Sequence, residues 1–295
     1  MSVSFYCFFH PIQHVMQALW GGAVTSGDFT FSTFSKNAFY GELNGRLIDM
    51  VDVGSGQRIV DLACGTGGVT RLILERIRDA RESVVIAVDH SSTALRQAMD
   101  DLKDIRDNAV QFVQSQVEQV SESLKERADT VVFCNAIHYI PDKDALLTEI
   151  SKTLKPGGKF AFNTSFFEGG QLPESLLFYR KWMFKSARIL RKEHGLSTQR
   201  TAKVESRKHL TAEQYRELVE RHNFTVVKQE IDTVNVQIDG WLDISTFEDF
   251  IVGTLPGVPL DAASDSLQKG CHQAFEELNL TYVPRNWLDM VAVRA

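Results

Sequence analysis

Apolar, β-branched runs alternate with amphipathic segments through the middle of this 295-residue chain. The runs are "QRIVDLA", "SVVIAVD", "AVQFVQ", "DTVVFCN" and "KFAFNTSFF", and the segments between them carry apolar residues at helical spacing. Strands that alternate with helices need crossover connections, which build a mostly parallel sheet covered by helices on both faces. The alternation therefore predicts a doubly wound α/β fold.

The alternation of strands and helices is not regular outside this region, and the segments before and after it are predicted to be additions to the sheet. A helix is expected at "AFYGELNGRLIDMVDV", and another at "LTAEQYRELVERH", where Thr211 and Gln214 have capping-box spacing. A charged helix "VEQVSESLKER", a turn "KPGG" and a last strand "NWLDMVAVRA" complete the prediction. We expect one compact domain with these parts: an N-terminal helical and aromatic lid (1–45), the core (46–167), a cap insertion (168–209), and the end of the sheet (210–295) with a second cap insertion (about 239–280).

Charge and composition exclude several classes of function. The formal net charge of −6 gives no basic footprint for a nucleic acid. The four cysteines lack C-x-x-C spacing, which disfavours a zinc site or a disulfide framework and favours reduced thiols in a cytoplasmic protein. The N-terminus lacks a positive region ahead of its apolar residues, so neither a signal peptide nor a membrane span is expected. His10 and His14 are a weak metal pair, and no metal site is predicted.

The loop in "IVDLACGTGGVT" follows the first predicted strand and begins a helix. Glycines there let the backbone approach a ligand closely and expose unpaired N–H groups of the helix. The dinucleotide pattern G-x-G-x-x-G is broken, since Ala63 replaces its first glycine and Asp61 lies two residues ahead. An acid there would repel a pyrophosphate and attract an ammonium group, while Asp89, ending the next strand, would accept hydrogen bonds from a ribose. These two acids point to S-adenosylmethionine.

The segments "VDLACGTGGVT", "VVIAVDHS", "CNAIHYIPD" and "LKPGGKFAF", in this order, resemble the class I S-adenosylmethionine-dependent methyltransferases. The chain is most similar to those that act on small molecules in quinone and natural-product pathways, and the resemblance covers residues 36–167 most firmly. It implies a Rossmann-like, mostly parallel seven-stranded sheet, with an α-helical lid from the N-terminus and the two insertions. It also implies S-adenosyl-L-methionine as cofactor and S-adenosyl-L-homocysteine as product.

Carried over residue by residue, the resemblance implies a cofactor site around the loop. Asp61 and the loop residues would flank the methionine portion with Asn135, Tyr40 would reach its carboxylate, and Asp89 would hold the ribose. The adenine would lie against His90 and the stretch "SQV", where Gln116 replaces the usual aspartate. The complete expected set is Tyr40, Asp61, Ala63, Cys64, Gly65, Thr66, Gly67, Asp89, His90, Ser115, Gln116, Val117 and Asn135.

Methyl transfer requires alignment of the acceptor, exclusion of water and, for some acceptors, removal of a proton. His138 is the candidate base, and its alternative role is to order the loop by hydrogen bonding. Cys64 and Cys134 lack a histidine partner in the pattern and are rejected as nucleophiles. Aromatic residues outside the core favour an apolar or aromatic acceptor, with the alternative that they only hold the insertions in place. Together with two aromatic residues at the ends of core strands, the expected substrate-binding set is Phe39, Tyr139, Phe166, Trp182 and Trp241.

The predicted function is therefore O- or C-methylation, rather than N-methylation, of a small apolar or aromatic metabolite. The alternatives are an NAD-dependent oxidoreductase of Rossmann type and a non-catalytic S-adenosylmethionine-binding protein. The acidic loop opposes the first alternative. A small-molecule substrate is expected, without nucleic acid or membrane span, while a carrier-protein-bound substrate and a homo-oligomer stay open.

Overall fold

A single sheet organises the described part of the chain, which in this computed structural model comprises residues 29–77, 82–105, 110–199 and 208–295. Its strands are β1 (Arg58–Leu62), β2 (Val84–Asp89), β3 (Val110–Gln114), β4 (Ala128–Cys134), β5 (Leu154–Thr164), β6 (Phe224–Gln237) and β7 (Tyr282–Arg294). Their order across the sheet is β3-β2-β1-β4-β5-β7-β6. The first five are parallel, and β7 runs antiparallel to both β5 and β6. The predicted mostly parallel, seven-stranded sheet is confirmed.

Helices cover this sheet, and several begin at the residues that the sequence signals. They are α1 (Ser32–Ser35), α2 (Ala38–Val51), α3 (Gly68–Arg76), α4 (Ser92–Leu102), α5 (Val120–Ser123), α6 (Lys143–Thr153), α7 (Leu176–Glu193), α8 (Ala212–Glu220), α9 (Ile238–Ile244), α10 (Glu248–Thr254) and α11 (Leu260–Leu278). The Ser91 and Asp142 side chains cap α4 and α6 by accepting backbone N–H groups. The predicted capping box of Thr211 and Gln214 is present at α8.

Helices α7, α9, α10 and α11 form a cap beside the sheet, with an aromatic core of its own. The rings of Phe178, Trp182, Trp241 and Phe275 pack together there, and the Trp182 indole N–H donates to the Leu267 carbonyl at 2.7 Å. Helices α7 and α11 approach so closely that a Cβ on Gly270 would collide with the backbone and hydroxyl of Ser186. The two insertions therefore pack as one layer.

Strands β6 and β7 form a ribbon that extends beyond the rest of the sheet. They pair from Phe224 with Arg294 to Gln237 with Tyr282. Strand β5 pairs with β7 only between residues 288 and 293. Residues 282–287 therefore pair with β6 and not with β5. On the other side of β7, Arg285 forms an isolated antiparallel bridge with Gln171, and the Asn286 N–H donates to the Gly170 carbonyl at 3.0 Å. This outer half of the ribbon reaches the cap.

Some predicted elements differ in length from the structure. The expected helix over "VEQVSESLKER" is only a 3₁₀ turn, Val117–Gln119, followed by the single turn α5. The expected turn "KPGG" lies within β5, where a bulge shifts the pairing with β4 between Ala128 and Thr130. The last strand begins at Tyr282, before the predicted "NW".

His10, His14 and most of the predicted lid lie outside the described residues. Among the helices that are described, none is long and apolar enough to cross a membrane.

Candidate active site

Two strained residues mark the edge of the sheet where its strand order reverses. Connections lead from β1 outward to β2 and β3, and the chain then returns to β4 on the other side of β1. Ala63 follows β1 with φ of 55°, and Asn135 follows β4 with φ of 51°. Non-glycine residues rarely adopt positive φ, and such strain concentrates at functional sites. Open α/β sheets bind their ligands at this kind of switch point.

The glycine loop lies against this edge, and its glycines have different roles. A Cβ on Gly67, whose φ is 84°, would lie 2.9 Å from Leu102 Cδ1, so this glycine lets α3 start close to α4. A Cβ on Gly65, whose φ is 53°, would meet no atom within 4 Å. Gly65 is therefore suited to this position by its positive φ and not by close packing, and it borders open space, as a loop that binds a ligand requires.

The two predicted acids lie on either side of this loop, in different surroundings. Asp61 is 1% exposed and accepts hydrogen bonds from Thr70, from its hydroxyl at 2.5 Å and from its backbone N–H. Burial raises the pKa of Asp61 to about 7, although the Thr70 bonds oppose the shift. The Asp89 carboxylate accepts from the backbone N–H of Gly65 at 2.9 Å and from that of Ser91 at 2.8 Å. Asp89 is thus fixed by the loop, while Asp61 is a desolvated carboxylate that a cation would stabilise.

A buried chain of amides runs from Asn135 to α2. The Asn135 backbone N–H donates to Asn163 Oδ1 at 2.8 Å, and Asn163 Nδ2 donates to Asn44 Oδ1 at 2.9 Å. Asn44 Nδ2 in turn donates to the Tyr40 carbonyl at 2.9 Å. Asn135 Oδ1 is buried and accepts no hydrogen bond from the described residues. A buried acceptor without a donor is unusual in a folded protein, and it suits a ligand that brings one.

His138 lies in the turn after β4 and is almost fully buried. Its Nδ1 is 2.9 Å from the Thr164 hydroxyl, its ring stacks on Phe166 at 4.2 Å, and its Nε2 is buried without a partner among the described residues. Burial and then the charge of Arg285, with smaller contributions from other cations, hold the pKa of His138 well below 6.5. The imidazole is therefore neutral at physiological pH.

The residues expected around the adenine meet at the ends of β2 and β3. The Ser115 N–H donates to the Asp89 carbonyl at 3.0 Å, so the segment after β3 is tied to the acid that ends β2. The His90 side chain is two-thirds exposed, and its Nδ1 lies 3.4 Å from Asp89 Oδ1. Gln116 is exposed, and Val117 is buried.

Three other expected cofactor residues occupy distinct positions. Cys64 is buried, and burial raises its thiol pKa, which agrees with its rejection as a nucleophile. Thr66 and Tyr40 line a cavity of about 450 Å³ between α2, α3 and α4. Gly67 and Gly68 of the loop also line this cavity, whereas Asp61 and Asp89 do not.

A smaller, mostly apolar pocket lies between the sheet edge and the cap. Its volume is about 30 Å³, and its lining includes Phe34, Asn135, Phe166, Trp241, Arg285 and Trp287. Two of the expected substrate residues, Phe166 and Trp241, thus lie with Asn135 in one pocket. Phe39 packs on Trp287, and Tyr139 packs between His138 and Phe247. Trp182 is instead a core residue of the cap, with its N–H already bonded.

Sequence reasoning missed Arg285 and Trp287. Both belong to the outer half of the ribbon, where they share one face of β7 with Val283. Alternation in "VPRNW" is the signal that could have found them, because it places an arginine on the apolar face of a strand. The described residues contain no group of three or more His, Cys, Asp or Glu side chains arranged to hold a metal.

The strand order, with the glycine loop and two acids at its switch point, defines a Rossmann-like fold. Residues 60–160 match the family model described as a methyltransferase domain. Over these residues the chain carries a methyltransferase domain, as its resemblance to the class I S-adenosylmethionine-dependent methyltransferases implies.

Two curated methyltransferases are similar to part of this chain in sequence, and a solved structure is similar to it in fold. Trans-aconitate 2-methyltransferase of Azoarcus sp. is 33% identical over 120 residues, which cover 39% of this chain and 42% of that protein. Malonyl-(acyl-carrier protein) O-methyltransferase of Acetivibrio thermocellus is 30% identical over 120 residues, 40% of each protein. The match thus spans about two fifths of these curated relatives. The structure of the cyclopropane synthase MmaA2 from Mycobacterium tuberculosis has the same fold, with a TM-score of 0.54, 12% identity and coverage of 89% of this chain and 88% of that one.

Proposed function

We propose that this protein transfers the methyl group of S-adenosylmethionine to an oxygen or carbon atom of a small apolar or aromatic metabolite. The observation that carries the proposal is the pair of buried carboxylates, Asp61 and Asp89, on either side of an open glycine loop at the switch point of the sheet. A cofactor with an ammonium group at one end and ribose hydroxyls at the other gives each acid a partner.

The site residues fit this cofactor. Asp61, desolvated and without a cationic partner among the described residues, would hold the ammonium group. Asp89 keeps free lone pairs on both oxygens for ribose hydroxyls, because each oxygen accepts only one backbone hydrogen bond. The orphaned Asn135 Oδ1 would accept a donor of the methionine portion. His90, Ser115, Gln116 and Val117 would border the adenine, and Tyr40, Ala63, Cys64, Thr66 and Gly67 would form the rest of the cradle.

When bound, the cofactor supplies a methyl group already activated by a sulfonium, so the chain mainly has to position an acceptor. Orientation of two reactants accounts for about 7 to 11 kcal/mol of a barrier in favourable cases. Phe166 and Trp241 would align a flat or apolar acceptor beside Asn135 and exclude water from it. Neutral His138, whose Nε2 is unpartnered in the described structure, would accept a proton from a hydroxyl or carbon acid.

The exposed side of α7 suggests that a carrier protein delivers the acceptor. Its exposed side carries Arg180, Arg188 and Arg191 together with Phe184, which is 65% exposed. A basic face with an exposed ring suits an acidic carrier protein that delivers the acceptor. The name of the Acetivibrio relative includes such a carrier, which supports this reading.

Two measurements test the function. Calorimetric titration with S-adenosylhomocysteine should show binding to the wild-type protein, and absence of binding would refute the cofactor assignment. Incubation with methyl-tritiated S-adenosylmethionine and extracts of small metabolites should then yield labelled organic products, which the Asp89→Ala variant should form more slowly when the cofactor is below saturation. Binding without any label transfer would favour a non-catalytic S-adenosylmethionine-binding protein.

A further inference from the structure

A cation is buried inside the apolar pocket beside the site. Arg285, on the outer half of the ribbon, is only 7% exposed and lines the pocket with Asn135 and Phe166. Its Nη1 donates to the Tyr179 hydroxyl at 2.9 Å, and its Nη2 donates to the Ser165 carbonyl at 3.0 Å. A guanidinium carries five N–H donors, so these two bonds leave donors to spare.

Aromatic rings surround this guanidinium. Its central carbon is 5.0 Å from the Phe166 ring centre, 5.9 Å from those of Tyr179 and Trp241, and 6.0 Å from that of Trp287. The ring faces attract a cation and hold the guanidinium in place, but they do not neutralise its charge. The rings therefore fix the position of the Arg285 guanidinium and leave its positive charge without a counter-charge.

An anionic partner is missing from the described part of the chain. No carboxylate there lies within 4.0 Å of the Arg285 guanidinium. Asp289 lies on the same face of β7 but four residues away, about 13 Å along a strand. Burial of a charge without a counter-charge costs free energy, which a ligand of opposite sign would recover.

We propose that Arg285 binds a carboxylate group of the acceptor, so that the substrate class is an apolar or aromatic carboxylic acid. This inference rests on the proposed function, because it assigns the acceptor of the same site. The cavity of about 30 Å³ has room for about two water-sized groups, which suits the two oxygens of a carboxylate rather than a whole metabolite. A planar guanidinium offers the paired donors that a carboxylate accepts.

The position of the pocket connects this recognition to the reaction. Asn135 forms part of both the pocket wall and the switch-point edge, and Phe166 lies under Arg285 while its ring also stacks on His138. A carboxylate at Arg285 therefore places the rest of the acceptor next to the residues assigned to methyl transfer. The carboxylate serves either as the methylated group or as an anchor for a neighbouring atom, and the products distinguish these two roles.

The test compares acids with their neutral amides. Phenylacetate and phenylacetamide, and cinnamate and cinnamamide, are titrated by NMR into protein saturated with S-adenosylhomocysteine. We expect each acid to bind about 10- to 100-fold more tightly than its amide, as charge-assisted hydrogen bonds predict. Arg285→Gln should abolish this preference while the affinity for S-adenosylhomocysteine changes less than about twofold, because Arg285 is assigned no contact with the cofactor.

Controls separate this proposal from the proposed function. Arg221→Gln, at an exposed arginine that follows α8 and pairs with Asp144, should leave the preference for acids intact. If Arg285→Gln does not fold, Arg285→Lys keeps the charge without the paired donors and should weaken binding of the acids about tenfold, with no change for the amides. Equal binding of acids and amides by the wild type, or a preference for acids that survives in Arg285→Gln, overturns the role of Arg285.

Failure of the wild-type protein to bind S-adenosylhomocysteine would instead refute the cofactor site. With methyl-tritiated cofactor, a labelled methyl ester identifies the carboxylate as the acceptor, and a labelled free acid identifies it as the anchor.

Discussion

Asp61 should make the affinity for S-adenosylhomocysteine depend on pH. Burial raises the pKa of this carboxyl to about 7 in the free protein, so that half of it is protonated there near neutrality. The ionised form attracts the ammonium group of the ligand, and the protonated form does not. Because binding selects the ionised form, affinity should fall as pH decreases through about 7 and level off above it.

The size of the effect follows from the fraction of Asp61 that is protonated. With a pKa of about 7 in the free protein, the apparent Kd should rise about 30-fold over its limiting value at pH ~5.5, and only about 1.3-fold at pH ~7.5. The two conditions should therefore differ by about 25-fold, or close to 2 kcal/mol. This is the full effect of one proton displaced by the ligand.

Isothermal titration calorimetry at constant ionic strength, in steps between these two pH values, measures the dependence. Asp61→Asn should bind weakly at every pH and show no slope. Thr70→Val removes the hydroxyl that stabilises the charged form, so it should move the midpoint to higher pH. Asp289→Asn is the matched control, because Asp289 is another buried acid whose pKa burial raises to about 7, and its loss should leave the slope unchanged. A flat wild-type profile, or an unchanged slope in Asp61→Asn, would refute the role of Asp61.

Three further predictions concern the other residues of the site. Asp89→Ala removes the acceptor of the Gly65 and Ser91 N–H groups and should weaken S-adenosylhomocysteine binding about 10- to 100-fold, so unchanged calorimetric affinity would contradict the assignment. His138→Gln should lower kcat and leave the affinity for S-adenosylhomocysteine intact, and full activity of the variant would exclude proton transfer by His138. The wild-type kcat at saturating cofactor should not change from about pH 6.5 to 8, because the pKa of His138 lies below this range. Gly67→Ala should lower the free energy of unfolding by about 2 to 4 kcal/mol, and Gly65→Ala by only about 1 kcal/mol, because only a Cβ on Gly67 meets a neighbouring side chain. Equal losses of stability in denaturant melts would contradict the packing role of Gly67.

Local signals explain why much of the core was predictable from sequence. Strands β1, β2 and β4 are buried on both faces, so each contains an apolar run that is followed by a polar residue at the same edge of the sheet. Asp61, Asp89 and Asn135 therefore stand out within their own segments. The capping box of α8 is likewise complete within four residues.

The remaining features depend on contacts between distant segments. Trp182 and Trp241 look equivalent in sequence, yet the first is enclosed by α11 and the second reaches the pocket, because the cap insertions pack on each other. The burial of Arg285 in the pocket could not be predicted from its own segment, because Tyr179 and Phe166, which contact it, lie more than a hundred residues earlier. The helical pattern over "VEQVSESLKER" is shortened because Leu124 leaves the helical region and leads into β4.

The ribbon of β6 and β7 also restricts how the pocket can change in evolution. Residues 282–287 pair with β6 and contact the segment at Gly170 and Gln171, but they do not pair with β5, so β5 does not resist deletions or insertions there. Side chains alternate between the two faces of a strand, so an insertion or deletion of one residue between Trp287 and the sheet would turn Arg285 and Trp287 away from the pocket together. A change of two residues would keep both on the pocket face and shift them by about 7 Å toward or away from the sheet edge. Relatives with acceptors of different length are therefore expected to differ here in steps of two residues.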